Sequence, residues 1–562
     1  SKSSIVNAFA THNGIIFFNI GLIAKLESED EIAYIMCHEI AHVMNQHNIK
    51  QHTFNESIDA EKGIYENESW EEKMFSKSNY SKQHEIEADM HGFKLFSKTD
   101  YDPMAAYEAL ERLKTHNLPF ESSHELTGET FNHTLLPMDE FLIKDLALIE
   151  IESHEKESEF STHPSIETRL DKLSGEIDMK QTADYTANKV KDIARFELCQ
   201  LFLTKGMKYQ SLYCVLALME KYPTSHYLKV QMVKILYALA QERTYFKYDD
   251  EKRGYENYLT SAENIKYQPK KIQQIEMLFN EMSCDELRNL AIVNILDHTE
   301  YDELDDVMKL RLKHLVVSHK KYGENNEVVD KLAQNDRGFQ KLIDSTQIDP
   351  KDDNMENQYV NSFEGVNKML VVSPEYRKFD VSVEDRSVKY QPTKKTLKEY
   401  HDIIIKNTEL LDIENITLAY SGVDGLDAQS FNDISLLKSF FIENAISTPN
   451  TISSRKEEIL DLVARYGTDK VSLLGLYTFD VKKSSQEKLG VLLWTGMVFP
   501  TFPIGVWYAV TPKYRTLNTT VLFDLTNEKV IYSNNHVINM NGNRAVVSST
   551  MYADLLKIKK GW

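Results

Sequence analysis

The segment His38-Glu39-Ile40-Ala41-His42 constrains this chain more than any other. On an α-helix, residues four apart sit one above the other on the same face. Two histidines so placed can bind one Zn²⁺, and the glutamate between them lies where it can take a proton from a water on that ion. The reading requires a helix, and the flanking residues supply one. Ser28 with Glu31 forms a capping-box signature, and Glu29, Asp30 and Glu31 suit the positive end of a helix. The pattern predicts helix from there to about Gln51, preceded by extended structure over residues 5 to 23. In that stretch "THNGIIFFNIGLI" sets an Asn13-Gly14 turn before a β-rich run.

A catalytic zinc takes three protein ligands and leaves one position open. The third ligand should come from a second helix, and His84-Glu85-Ile86-Glu87-Ala88-Asp89 is the candidate. Glu85 and Asp89 share a face there. One carboxylate is expected to bind zinc, while the other accepts a ring N–H from a liganding histidine. Glu87 competes as third ligand, and His47 is read as a histidine of the helix surface.

Beyond this region the chain divides by pattern. A helix is expected at Asp102-Pro103, where an Asp cap meets a proline start. Residues 115 to 165 are irregular. From about 187 to 345 nearly everything reads as helical hairpins of tetratricopeptide-like spacing, with a Lys205-Gly206 turn and a Tyr222-Pro223 turn. Residues 346–361 read as a polar linker. Residues 362–562 then read as α/β, with strands at "KMLVVSPEY", "KVSLLGLYTFDV" and "TTVLFDLTNEKVIYSN". A helix at "SSRKEEILDLVARYG" carries a Ser454/Glu457 capping box. The expected architecture is therefore multidomain, with a mainly α zincin-type domain (1–178), an α-hairpin domain (187–345) and a C-terminal α/β domain.

Composition bears on partners. Lys plus Arg number 65 against 86 Asp plus Glu, a net charge of −21, so the chain repels phosphate backbones and no nucleic acid is expected. Cys199 and Cys214 could pair if two helices bring them together. Residues 489–510 carry no charge over 22 positions, which is long enough for a membrane span. Pro500 and Pro503 argue instead for two buried strands or a hairpin that touches a bilayer or a partner. The chain opens on Ser1 without a basic-then-apolar leader, which suggests a removed targeting segment or a truncation.

Four separated segments resemble one known family. They are "NAFATHNGIIFFNIGLI" (7–23), "HEIAHVMNQH" (38–47), "EIEADMHG" (85–92) and "STHPSIETRL" (161–170). In order and spacing they look like the HExxH zinc peptidases that include the CAAX prenyl protease, HtpX, the mitochondrial OMA protease and periplasmic BepA. The soluble BepA-like branch, with its helical repeats, is the most similar. A proline usual after the "NAFAT" stretch is replaced here by His12-Asn13. The resemblance implies His38, His42 and Glu85 as ligands of one Zn²⁺ and Glu39 as general base. It implies Asp89 as the group orienting a ligand, Arg169 as an ordering residue, and His163 as a metal cap or substrate-facing catalytic group. Ile15, Ile16, Phe17, Phe18 and Asn19 would then form the strand that pairs with an extended substrate. It further implies an endopeptidase for misfolded or stalled envelope proteins, on the periplasmic side of a bacterial cell envelope. Contact with an outer-membrane assembly complex, or with a membrane through 489–510, would follow. The other expectation is a latent or non-proteolytic assembly subunit, with His163 closing the zinc.

Overall fold

A computed structural model describes residues 2–11, 13–59, 70–115, 117–123, 128–131, 133–136, 164–177, 185–248, 269–297, 300–324, 327–347, 363–372, 375–380, 390–418, 428–447, 451–481, 513–538 and 544–561. The chain divides into two compact units, Ser1–Gln347 with Ile446–Thr451, and Ile348–Ala445 with Ile452–Trp562. The segment 489–510 and the linker from 348 to 361 lie outside the described residues. No helix among the described residues is long and apolar enough to cross a membrane.

The first unit opens with a hairpin in which β1 (Ala8–Ala10) runs antiparallel to β2 (Ile16–Phe18). Gly14 supplies the left-handed φ of +84° in its turn. Extended structure ends sooner than the sequence suggests, because α1 (Ile20–Lys25) follows β2 directly. Gly21 permits this. A Cβ there would lie 2.3 Å from the Ser4 carbonyl oxygen, so only glycine lets the start of the chain cross the helix.

Helix α2 (Glu29–Met44) begins at its expected cap, with Ser28 Oγ accepting from the Glu31 N–H at 3.1 Å. The reciprocal arm of the box is not made. The buried Glu31 carboxylate accepts instead from the Glu27 N–H and from Arg112 Nε, each at 2.8 Å, since a buried charge needs a charged partner. Helix α2 also stops at Met44, short of Gln51. Gln46 takes a φ of +55°, and a separate helix α3 (His47–Asp59) sets off after it.

Helix α4 (Trp70–Phe96) packs on α2. Helix α5 (Met104–Leu113) starts where Asp102 Oδ1 accepts from the Met104 N–H at 2.8 Å, and α6 (Ile166–Ser174) is capped by Ser165 Oγ. Tyr34, Ile35, Phe93, Phe96, Leu110 and Leu173 form the core between them.

Among the described residues eight helices continue the unit: α7 (Lys191–Thr204), α8 (Lys208–Lys221), α9 (His226–Tyr248), α10 (Lys270–Glu281), α11 (Cys284–Leu296), α12 (Asp306–Tyr322), α13 (Glu327–Asn335) and α14 (Arg337–Ser345). Gly206, with φ +73°, makes the turn between α7 and α8. Segments 1–178 and 187–345 pack into one unit. Asn188 Nδ2 donates to the Leu26 carbonyl at 2.9 Å, Arg195 Nε to Ala24 at 2.9 Å, and the Tyr213 hydroxyl to Phe120 at 2.7 Å. Cys199 and Cys214 are not paired; both are buried free thiols, and burial pushes each thiol pKa up.

In the second unit a mixed sheet is covered on both faces. Its strands are β3 (Lys368–Val372), β4 (Glu375–Asp380), β5 (Glu414–Leu418), β6 (Lys470–Val481), β7 (Lys513–Asp524) and β8 (Lys529–Ile538). The order is β5-β3-β6-β7-β8, with β4 also on β6. The run of apolar residues in β3 has a simple cause. Met369 and Val371 enter the core of α15 (Tyr390–Leu410) and α18 (Arg544–Lys560), while Leu370 and Val372 enter that of α16 (Ala428–Ile446) and α17 (Lys456–Tyr466). The Ser454/Glu457 box is not formed. Arg455 is the N-cap of α17 without a side-chain cap bond, and the Ser454 N–H goes to the buried Glu443 at 2.7 Å.

Candidate metal centre

Small residues let α4 lie close on α2. Ala41 and Ala88 are fully buried, and a Cβ on Gly92 would sit 2.8 Å from His38 Cα and 2.9 Å from its nitrogen. Backbone blocks that space on the α2 side, so the helices must separate to admit a methyl group. Gly92→Ala is therefore expected to cost roughly 1–3 kcal/mol of stability and to weaken metal uptake with it. Denaturation midpoints and zinc titration check this; an unchanged zinc affinity would contradict the close approach.

The close approach brings three donors together. His38 Nε2 and His42 Nε2 are 3.1 Å apart, and Glu85 Oε2 and Oε1 lie 3.7 Å and 3.5 Å from them respectively. Among the described residues these three form the group able to hold a metal ion, with ligand atoms all within 4.8 Å. Tetrahedral zinc with bonds of about 2.0–2.1 Å spaces its donors roughly 3.3–3.4 Å apart, so the separations fit. The protonation pattern fits as well. Asp89 Oδ1 lies 2.9 Å from His38 Nδ1, and an ionised carboxylate can only accept. Burial would lower the His38 pKa, but the hydrogen bond to Asp89 raises it. When His38 gives up a proton to bind a cation, the proton it keeps sits on Nδ1, and the Nε2 lone pair is turned toward His42 and Glu85. Burial and the neighbouring His38 push the His42 pKa down to about 3, so that ring is neutral and free to bind a cation.

Asp89 is itself held on every side. Arg169 donates to it twice, from Nε and a terminal nitrogen, each at 2.7 Å, and the Tyr34 hydroxyl donates at 3.2 Å. Burial would raise its pKa, but the Arg169 guanidinium outweighs burial and holds the carboxyl well below the usual range. The third Arg169 nitrogen, its other terminal one, lies 3.8 Å from Glu85 Oε2, so the same arginine stands beside both carboxylates.

Glu39 is 7% exposed, and burial raises its pKa above the ordinary carboxylate value. The backbone N–H of Ala10 donates to it, and the Ala10 carbonyl accepts from Asn48 Nδ2 at 2.8 Å. The hairpin register explains this contact. Thr11 bonds Ile15 and Asn7 bonds Asn19, so Ala8 and Ala10 turn their backbone groups away from β2. The edge beside Glu39 is therefore that of β1 and not that of Ile15 to Asn19.

Glu87 does not join the donor group; its carboxylate lies 3.3 Å from His47 Nε2. His47 is not a surface residue, being 2% exposed with its Nδ1 3.0 Å from His42 Nδ1. His163 lies outside the described residues. Sequence reasoning missed Tyr34 and the inward turn of His47. Tyr34 precedes His38 by one helical turn and was findable from that period. The inward turn of His47 follows from the left-handed backbone of Gln46, a residue that carries no turn signal.

Residues 1–177 match the family model described as Peptidase family M48. No curated protein matches the chain.

Proposed function

Since residues 1–177 belong to Peptidase family M48, which makes the chain a zinc metallopeptidase, we propose that it is an endopeptidase acting on unfolded or extended polypeptide with one Zn²⁺ per chain. The observation that carries this reading is the convergence of His38, His42 and Glu85 beside a buried Glu39. These three side chains hold the ion, which when bound supplies a Lewis acid for the scissile carbonyl and acidifies water. Glu39 takes the proton of the attacking water on its carboxylate and delivers it to the leaving amine. Asp89 and Arg169 keep the His38 ring turned toward the site. The backbone of Ala10 lies next to Glu39, its N–H on that carboxylate and its carbonyl on Asn48 Nδ2, so an extended segment adding along β1 as a strand must replace those two contacts. Folded domains offer no such segment. The exposed rings of Phe9 and Phe17, stacked with centroids 5.0 Å apart, give that strand an apolar neighbour.

The envelope setting, an outer-membrane assembly partner and the tetratricopeptide-like reading of α7 to α9 are part of the same proposal and are supported by the sequence resemblance. The test is cleavage of a chemically unfolded protein and of its folded form. Cleavage of the unfolded form alone is expected, abolished by a chelator and restored by one equivalent of Zn²⁺. Cleavage that survives complete removal of metal would overturn the reading.

A further inference from the structure

Each ligand histidine needs a partner for its second ring nitrogen if the first is to face a metal. For His38 that partner is Asp89. For His42 the structure provides His47, and the chain must break a helix to do so. In a continuous helix, five residues at about 100° each would put residue 47 some 140° around from residue 42. The turn at Asn45-Gln46, with Gln46 at φ +55°, brings it back. A non-glycine residue in that region is sparsely populated backbone and persists only where surroundings hold it. Here the surroundings are rings. His84 stacks on His47 with centroids 4.3 Å apart and planes 9° apart, and Tyr80 meets His84 edge-on at 4.2 Å.

Building on the zinc-peptidase reading, we propose that His47 and Glu87 form an orienting relay for the His42 ligand. Neutral imidazole carries one ring proton. With His42 Nε2 turned toward Glu85 and the metal, its proton sits on Nδ1 and donates to His47 Nδ1, 3.0 Å away. His47 then carries its own proton on Nε2 and donates to Glu87 Oε2 at 3.3 Å. Each donor in this chain has one acceptor, and the direction is set by the carboxylate, which can only accept. His47 is a positioning residue, since it acts through His42 and touches no reacting atom. Glu87, half-exposed, is the weaker end of the relay.

The experiment compares His47→Asn with His47→Gln in the full chain. The asparagine oxygen can stand where Nδ1 stood and accept from His42, whereas the glutamine amide reaches toward the Nε2 position instead. Zinc affinity is read by competition with a chromophoric chelator, and site geometry by the visible spectrum of the Co²⁺ form. His47→Gln is expected to bind zinc about 10–100-fold more weakly with an altered Co²⁺ spectrum, while His47→Asn stays within about threefold of the parent. Glu87→Ala should cost only a few-fold. Equal zinc affinities and Co²⁺ spectra for His47→Asn, His47→Gln and the parent would overturn the relay and leave the zinc reading standing. A parent chain that binds no zinc would overturn both.

Discussion

Glu39→Gln is expected to lower kcat/KM for an unfolded protein substrate by about 10²–10⁴-fold while zinc binds as tightly as in the parent. The amide has nearly the shape of the carboxylate, and Glu39 is not in the donor group. It can still accept the Ala10 N–H, so the fold around it persists. What it loses is the ability to take up a proton. The size of the loss follows from the role, because a positioned base contributes that range to hydrolysis. Paired measurements of zinc stoichiometry and single-turnover cleavage separate this from metal loss. If the variant keeps parental activity with zinc bound, Glu39 is not the base, and another group must be sought.

Arg169→Leu is expected to destabilise the first unit by roughly 3–5 kcal/mol, the cost of leaving one partner of a buried ion pair uncompensated. The reason is local. Asp89 is 2% exposed and receives two of its four polar contacts, the two shortest, from Arg169. Without the guanidinium, the carboxylate keeps only the Tyr34 hydroxyl and the His38 ring. Arg169→Lys should recover part of the loss, since it restores charge but cannot reproduce the two-pronged contact. Chemical denaturation measures the stability, and zinc titration of the folded fraction shows whether His38 has lost its orientation. The double variant Arg169→Leu/Asp89→Leu removes both charges and should be more stable than Arg169→Leu alone. A single variant as stable as the parent would show that solvent reaches Asp89 and that the pair is not the clamp described.

The expected pH response of that clamp has a definite sign. Asp89 has a depressed carboxyl pKa in the folded chain, so it contributes stability above the ordinary carboxylate value. That contribution is lost as the pH falls from about 4 toward the folded value. Arg169 stays charged throughout.

Much of the centre was legible because helix periodicity is local. A spacing of four puts His38 over His42, and the same spacing puts Glu85 over Asp89. The Ser28 cap located the start of α2, and the apolar, β-rich runs of β3 and β6 marked them as strands. Three readings failed where a partner outside the local pattern, or a single backbone angle, outweighed local preference. Glu31 left its capping box for Arg112, Ser454 gave its N–H to Glu443 rather than to a box with Glu457, and α2 ended at Met44 rather than Gln51. In each case the competing partner lies far along the chain or the decisive backbone angle belongs to a residue without a turn preference.

The sequence by itself determined the chemistry: two imidazoles, a carboxylate base and two more carboxylates at helical spacings that can serve only one face each. The tertiary structure decided which of them meet and in what role. Gly92 set the distance between two helices, because the space its missing Cβ leaves is filled by the His38 backbone. Arg169, brought from α6, made Asp89 an orienter and left Glu85 facing the histidines. The turn at Gln46 took His47 from the helix surface to the back of His42. Such roles depend on directions in space between residues far apart in the chain or across a broken helix, and spacing along one helix carries no record of them.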